Sequence, residues 1–289
     1  MAGLNTQVVT IDREAAKRLR LTLEEAGYSF YEVDYAQFGA KGEGVNVVVY
    51  DSGKMVIQGK GASDFKLMRL SEVLPQPKAR LKERTIGCDE AGKGDYFGPL
   101  CVAAVALSPE EEIFLDEVPL FDSKTLTDRD VIRAAEHLRG VLPHEVISIG
   151  PKRYNEMYAT FGNLNTLLAW AHAKAMLAVF DKTGCRNVLL DQFASPTIVL
   201  KALGARRNDV KLVTRVRAES DPAVAAASIL ARDGFLRGLA RLTPVAGMPL
   251  PKGAGSPVLR AGRALVKERG TAILSEVAKV HFKTTQQIS

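Results

Sequence analysis

Cysteine is scarce in this chain. Cys88, Cys101 and Cys185 are the only three among 289 residues, and no two form a CxxC pair. That argues against a disulfide framework and a thiolate zinc site, leaving buried or free thiols. Histidine adds nothing to a zinc reading, since His137, His144, His172 and His281 are scattered along the sequence. No apolar run reaches the length of about 18 residues that a membrane span needs. The opening stretch, MAGLNTQVVTIDREAAKRL, lacks the basic-then-apolar pattern of an export signal, so a cytoplasmic protein is expected.

What is present suits a soluble globular chain, long enough for one large domain or two smaller ones. The net charge of +6 is uneven. Residues 1–80 carry 11 basic and 10 acidic side chains, residues 81–194 carry 12 and 17, and residues 195–289 carry 16 and 6. An acidic middle (net −5) followed by a basic region (net +10) suits a metal site beside a polyanion track, although a solvated basic surface would show the same pattern.

The apolar spacing of Ala15, Leu19, Leu23 and Ala26 predicts a helix over 12–26, closed by Gly27. YSFYEVDYAQF reads as a strand with Tyr31, Val33 and Tyr35 on one face. VNVVVY and KMVIQG, joined at Asp51-Ser-Gly53, form a hairpin signal, and ASDFKLMRLSEVL a second helix. The proline- and charge-containing SEVLPQPKARLKER reads as a linker. The organisation expected is a small α+β domain over 1–74, a linker over 75–84 and a larger domain over 85–289.

In the larger part, RTIGCDEA, PLCVAAVAL, HEVISIG, RNVLLDQF and DVKLVTRVRAES read as strands. Between and after them, DRDVIRAAEHLRGVL, NLNTLLAWAHAKAMLAVFDKTG, SPTIVLKAL and PAVAAASILARDGFLRGLARL read as helices, the second starting from an N-cap at Asn163 or Asn165. The alternation predicts an α/β fold with a mainly parallel or mixed central sheet covered by helices.

One motif decides the chemistry. Gly87-Cys-Asp-Glu-Ala-Gly92-Lys93 fits the G-x-x-x-x-G-K of a nucleotide-binding loop, but the next residue is Gly94, where that loop needs a hydroxyl for Mg²⁺. Asp89 and Glu90 also put negative charge where backbone amides would cradle phosphates, and the segment that follows reads as a strand, not a helix. A hard-cation site is the better reading. Asp89 ends one predicted strand and Asp191 another, and strand-end carboxylates on neighbouring strands converge at one edge of an α/β sheet. A fourth carboxylate comes from AESDPAV. Asp221 before Pro222 has a ready role as a helix cap, which favours Glu219 and keeps Asp221 as the alternative. Cys88 is a soft ligand out of place among these, and reads as sheet packing.

GCDEAGKGDYFGPL, DSKTL at 122–126, NLNTLLA, DQFAS, AVAAASILAR, PKGAG and KVHFK together resemble the ribonuclease HIII family, bacterial type 2 ribonucleases H. The N-terminal helix–strands–helix unit is similar to the domain resembling TATA-box-binding protein that this family uses to grip substrate. The resemblance implies a ribonuclease H-like catalytic domain that hydrolyses the RNA strand of RNA–DNA hybrids and leaves 5′-phosphate and 3′-hydroxyl ends. It implies two Mg²⁺ or Mn²⁺ ions held by Asp89, Glu90 and Asp191, with Glu219 or Asp221 as fourth carboxylate. The related ribonuclease HII has a C-terminal tyrosine that helps it cut at single ribonucleotides. This chain has no tyrosine after Tyr158, which argues against that preference.

Substrate contacts are expected from Gly92 and Gly94, where a missing Cβ lets backbone approach the sugar, and from Lys93 between them. Ser123, Lys124 and Lys252 are further candidate phosphate contacts. Trp170 and His172, inside the long apolar helix, read as core packing and as a satisfied core histidine. Tyr31 and Tyr35 fit either stacking on nucleic acid or packing beneath the N-terminal helices. A monomer suffices for this chemistry. The rival classes are a binding module with a dead site, which the intact carboxylates disfavour, and a nucleotide hydrolase, in which ATP with Mg²⁺ would raise the melting temperature.

Overall fold

The structure, a computed structural model, describes residues 6–65, 81–115 and 126–288. The chain divides into two compact units, Met1–Pro77 and Lys78–Ser289.

In the first unit, β1 (Thr6–Thr10), β2 (Ser29–Tyr31), β3 (Ala36–Gly42), β4 (Val45–Tyr50) and β5 (Lys54–Gly59) form an antiparallel sheet in the order β1-β5-β4-β3-β2. Helix α1 (Arg13–Glu25) starts at Asp12, whose side chain accepts from the Ala15 N–H at 2.7 Å. Its Ala15, Ala16, Leu19 and Leu23 join Val47, Val49, Met55 and Ile57 in one core, so the period-3.6 face of the helix meets the period-2 face of the strands. The expected hairpin turn holds, with Gly53 at φ +79°. A short helix α2 (Ala62–Phe65) follows; the rest of the helix expected to 74, and residues 75–80 of the expected linker, lie outside the described residues.

The single strand expected over 28–38 is a correction. β2 and β3 are antiparallel partners, with Ser29 opposite Lys41, and the chain reverses between them through Tyr35 at φ +60°. Alternation with a period of two looks the same on both sides of a reversal, so the pattern could not reveal it. Tyr31 and Tyr35 therefore do not share a face. Tyr31 lies over Gly39, on the sheet side away from α1, with its hydroxyl 2.5 Å from Asn46 Oδ1, and Tyr35 is 87 % exposed. Among the described residues neither packs beneath a helix.

The second unit holds β6 (Thr85–Ala91), β7 (Leu100–Leu107), β8 (His144–Ile149), β9 (Asn187–Asp191) and β10 (Lys211–Arg215), ordered β10-β9-β6-β7-β8. β10, β9 and β6 are parallel; β7 and β8 run antiparallel to their neighbours, giving the mixed sheet expected. Helices α3 (Asp128–Val141), α4 (Pro151–Phe161), α5 (Leu164–Thr183), α6 (Pro196–Leu203) and α7 (Pro222–Ala246) surround it. Ile86, Cys88, Val102 and Ala104 pack against α5 on one face, while Ala103, Val105 and Leu107 pack against α3 and α7 on the other. Every residue of β7 is buried, which accounts for its unbroken apolar sequence. Asn163 caps α5, accepting from the Thr166 N–H at 2.9 Å, and Gly184 ends it at φ +67°. Helices α4, α8 (Ser256–Arg269), α9 (Ile273–Val277) and α10 (Lys283–Ile288) add to the expected set; α4 and α8 start with proline in the first turn and end at Gly162 and Gly270. Among the described residues no helix is long and apolar enough to cross a membrane.

Candidate active site

Register brings the first two carboxylates together. β6 and β9 are parallel with Cys88 opposite Leu190, so Asp89 and Asp191 come next, level with each other; Asp191 ends β9, but β6 runs on to Ala91 because β7 still pairs with it there, which corrects the strand end expected at Asp89. Both project on the α7 side, because their neighbours Cys88 and Leu190 belong to the core on the α5 side. Glu90, one residue on, turns to the α5 side. β10 leads into a tight turn where Arg217 adopts a left-handed conformation at φ +57°, followed by a short 3-10 segment at Ala218–Ser220. The Ala218 N–H donates to Asp191 Oδ1 at 2.9 Å, and Glu219 stands at the same opening. Asp89, Glu90, Asp191 and Glu219 line one cleft of about 420 Å³.

Asp221 is not on that cleft wall. It is buried at the N-cap of α7, accepts from the Ala223 N–H at 3.0 Å, and has Arg215 at 4.0 Å. The cap expected from Asp221-Pro222 is in place, and Glu219 is the acidic residue of AESDPAV that reaches the cleft.

The carboxylates are not equivalent. Enclosure of its carboxyl, and then the charges of Glu90, Asp191 and Glu219, push the Asp89 pKa well above the ordinary range despite a hydrogen bond from the Glu90 N–H. Glu90 also suffers from burial, but His172 and Lys93 outweigh it and hold its pKa below the usual value. Glu90 Oε2 lies 3.1 Å from His172 Nε2, and Oε1 lies 3.2 Å from Lys93 Nζ. Among the described residues no three His, Cys, Asp or Glu side chains are already gathered tightly enough to enclose an ion. In kind, however, the donors fit a hard divalent cation: all are oxygens at one opening, and the crowding of negative charge around Asp89 is what a cation relieves.

The same cleft also carries cations. Arg232 and Lys252 line the cleft and share one anchor, Asp128 at the start of α3, with Arg232 Nη2 at 3.0 Å from Oδ1 and Lys252 Nζ at 2.6 Å from Oδ2. Sequence reading found Lys252 but missed Arg232, Asp128 and Asp95, although Asp95 lies in the motif itself. Asp95 Oδ1 accepts from the Gly253 N–H at 2.5 Å and ties the GKGD turn to the PKGAG loop.

The glycines divide. A Cβ at Gly92 would lie 2.2 Å from Pro99 O, and φ is +84°, so internal packing already demands glycine there. A Cβ built on Gly94 would meet no described residue beyond its chain neighbours within 4 Å. After that turn the chain enters β7, so the motif carries no helix N-terminus for a triphosphate. Ser123 and Lys124 lie outside the described residues.

Cys88 and Trp170 pack as expected, and His172 does more. Cys88 is fully buried, and burial followed by the Asp89 charge drives its thiol pKa far up, as a packing residue requires. Trp170 packs at the edge of the core near Phe161. The satisfied core histidine expected at 172 needs correction: the ring is buried, but Nε2 contacts Glu90, and among the described residues Nδ1 has no partner. The helical spacing of Leu168 and Met176 identified the buried face, but not the strand end opposite it.

A family model described as Ribonuclease HII matches residues 86–285, and a domain of unknown function (DUF3378) matches residues 6–67. Ribonuclease HIII of Protochlamydia amoebophila is 40% identical over 296 residues, covering 100% of this chain and 98% of its own. Ribonuclease HIII of Chlamydia pneumoniae is 42% identical over 289 residues, covering 97% of each. Among solved structures, Bst-RNase HIII in complex with Mn²⁺ is 28% identical, covers 98% of both chains and superposes with a TM-score of 0.69. The fold, the catalytic-unit match and this full-length similarity agree, and the chain belongs to the ribonuclease HIII family of ribonuclease H endonucleases.

Proposed function

We propose that this protein hydrolyses the RNA strand of RNA–DNA hybrids, with Asp89, Glu90, Asp191 and Glu219 as the cation-binding carboxylates, and that it leaves 5′-phosphate and 3′-hydroxyl ends. The observation that carries the reading is the make-up of a single cleft, which gathers Asp89, Glu90, Asp191 and Glu219 with the cations Arg232 and Lys252. Two divalent ions, Mg²⁺ or Mn²⁺, supply activation of a water nucleophile and neutralisation of the leaving oxygen when bound. The chain's own residues do the rest. Asp89 and Asp191 set the position of the phosphate relative to the sheet edge. Arg232 and Lys252 bind flanking phosphates, and Lys93 exchanges Glu90 for a phosphate oxygen. Gly94 leaves the backbone bare beside the ribose, where a 2′-hydroxyl can be read. Residues 1–74 form the substrate-gripping domain, 75–84 the linker and 85–289 the catalytic domain of a cytoplasmic monomer.

Cleavage of an end-labelled hybrid, with duplex DNA and single-stranded RNA alongside, tests the reading. Cutting of the hybrid's RNA strand alone, requiring Mg²⁺ or Mn²⁺ and lost in EDTA, supports it; hybrid binding without cutting under either metal removes it. The fourth carboxylate has its own test. Glu219→Gln is expected to reduce cleavage at least about a hundredfold, the scale of losing one electrostatic contact to the reacting group. Asp221→Asn keeps a good cap, and should change stability by less than about 1 kcal/mol with most activity retained. The reverse pattern would move the role to Asp221.

Lys252→Ala is expected to weaken hybrid binding roughly 3–10-fold at low salt and to reduce the salt slope by about 1, independent of sequence. Fluorescence anisotropy against salt concentration, in an Asp89→Asn background that leaves the hybrid intact, reads both. An unchanged slope would take Lys252 out of the phosphate contacts.

A further inference from the structure

We propose that His172 is the positioning residue for Glu90: its Nε2–H donates to Oε2 and turns Oε1 towards the cleft. The inference rests on the reading of Glu90 as a cation-binding carboxylate. A carboxylate only accepts, so the 3.1 Å contact requires the proton on Nε2. That contact is the ring's one hydrogen bond among the described residues, because Nδ1 is buried without a partner. Packing alone does not call for an imidazole in this place, since an apolar side chain of similar size would leave no unsatisfied nitrogen.

The ring is also fixed in direction. His172 is fully buried on α5, in the middle of a 20-residue helix, and stacks on Phe193 with centroids 5.2 Å apart and planes at 16°. Glu90's other partner differs. Lys93 is 40% exposed, three residues along a glycine-flanked turn, and such a contact defines orientation weakly. Of the two groups on Glu90, the rigid one holds the oxygen turned inward and the mobile one holds the oxygen at the opening. A histidine that hydrogen-bonds a ligating carboxylate fixes its rotamer and sets how readily a cation is accepted, typically a 10–100-fold effect on metal affinity.

The test compares the parent with His172→Leu, which removes the donor at similar volume, and His172→Gln, whose amide nitrogen can occupy the place of Nε2. Mn²⁺ binding is measured directly, by the electron paramagnetic resonance signal of free Mn²⁺, and hybrid cleavage is followed against Mn²⁺ concentration. His172→Leu is expected to bind Mn²⁺ about 10–100-fold more weakly, with cleavage largely recovered at saturating Mn²⁺ and a melting temperature in EDTA no lower than the parent's. His172→Gln is expected to regain most of the lost affinity. If His172→Leu does not fold, His172→Met, with its adaptable side chain, carries the same expectation. Parent-like Mn²⁺ affinity in the folded donor-less variant, or a fall in melting temperature and cleavage without a change in affinity, overturns the proposal. A parent that neither binds Mn²⁺ nor cuts the hybrid overturns the nuclease reading, and this inference with it; a competent parent with indifferent His172 variants overturns this inference alone.

Discussion

Asp89→Asn is expected to lower hybrid cleavage at least about a thousandfold, equivalent to about 4 kcal/mol in the barrier, while raising the melting temperature in EDTA. The two effects have one cause. Asp89 sits where enclosure and the charges of Glu90, Asp191 and Glu219 all oppose its ionisation, so the metal-free protein carries a cluster of repelling carboxylates. Asparagine keeps the shape, can still accept from the Glu90 N–H, and removes one of those charges. A gain of about 1–2 kcal/mol would raise the midpoint by roughly 2–8 °C in a unit of this size. With Mn²⁺ present the order reverses, since the parent gains more from binding the ion than the variant does. Thermal unfolding with EDTA and with Mn²⁺, beside the cleavage assay, reads all three. A variant that is destabilised in EDTA and stabilised by Mn²⁺ as much as the parent would mean that Asp89 is a structural carboxylate.

That arrangement is partly legible in the sequence. A carboxylate after a buried apolar run is visible as the first polar residue, and two such strands side by side in an α/β fold bring them level; Asp191 does end its strand, and Asp89 lies level with it although β6 runs on to Ala91. Glu219 follows by subtraction, because Asp221-Pro222 already spells a helix start. What stays hidden depends on which layer packs over which strand. His172 is 82 residues from Glu90 and Asp128 is 104 from Arg232, and no local spacing announces either contact. The reversal between β2 and β3 is invisible for a different reason, since a strand pattern has no direction. Gly92 shows the opposite error: the need for glycine is plain from the motif, but Pro99 and Phe235 impose it from inside the fold.

Gly87 carries the largest expected effect on stability. It lies in the middle of β6, and a Cβ built on it would sit 2.1 Å from the Ala223 carbonyl carbon and 2.2 Å from the Val224 N. Both are backbone atoms in the first turn of α7, so no side chain can rotate away. The helix itself must move. This helix is alanine-rich where it crosses the sheet, with Ala223, Ala225, Ala226 and Ala227 all buried, and its close approach leaves no slack to absorb a shift. Gly87→Ala is therefore expected to cost about 3 kcal/mol or more, a fall of roughly 6–12 °C in melting temperature. Activity falls with it at temperatures where the protein stays folded, because α7 begins directly after the turn that carries Glu219, while Asp89 lies two residues beyond the altered glycine. Gly94→Ala is the contrasting variant. With no described residue beyond its chain neighbours within 4 Å of the added Cβ and no left-handed φ, it should melt like the parent, yet it should bind and cut the hybrid less well if the bare turn faces the ribose. Equal melting temperatures for Gly87→Ala and the parent would show that β6 and α7 can separate freely, and would leave the alanine face of α7 without its reason.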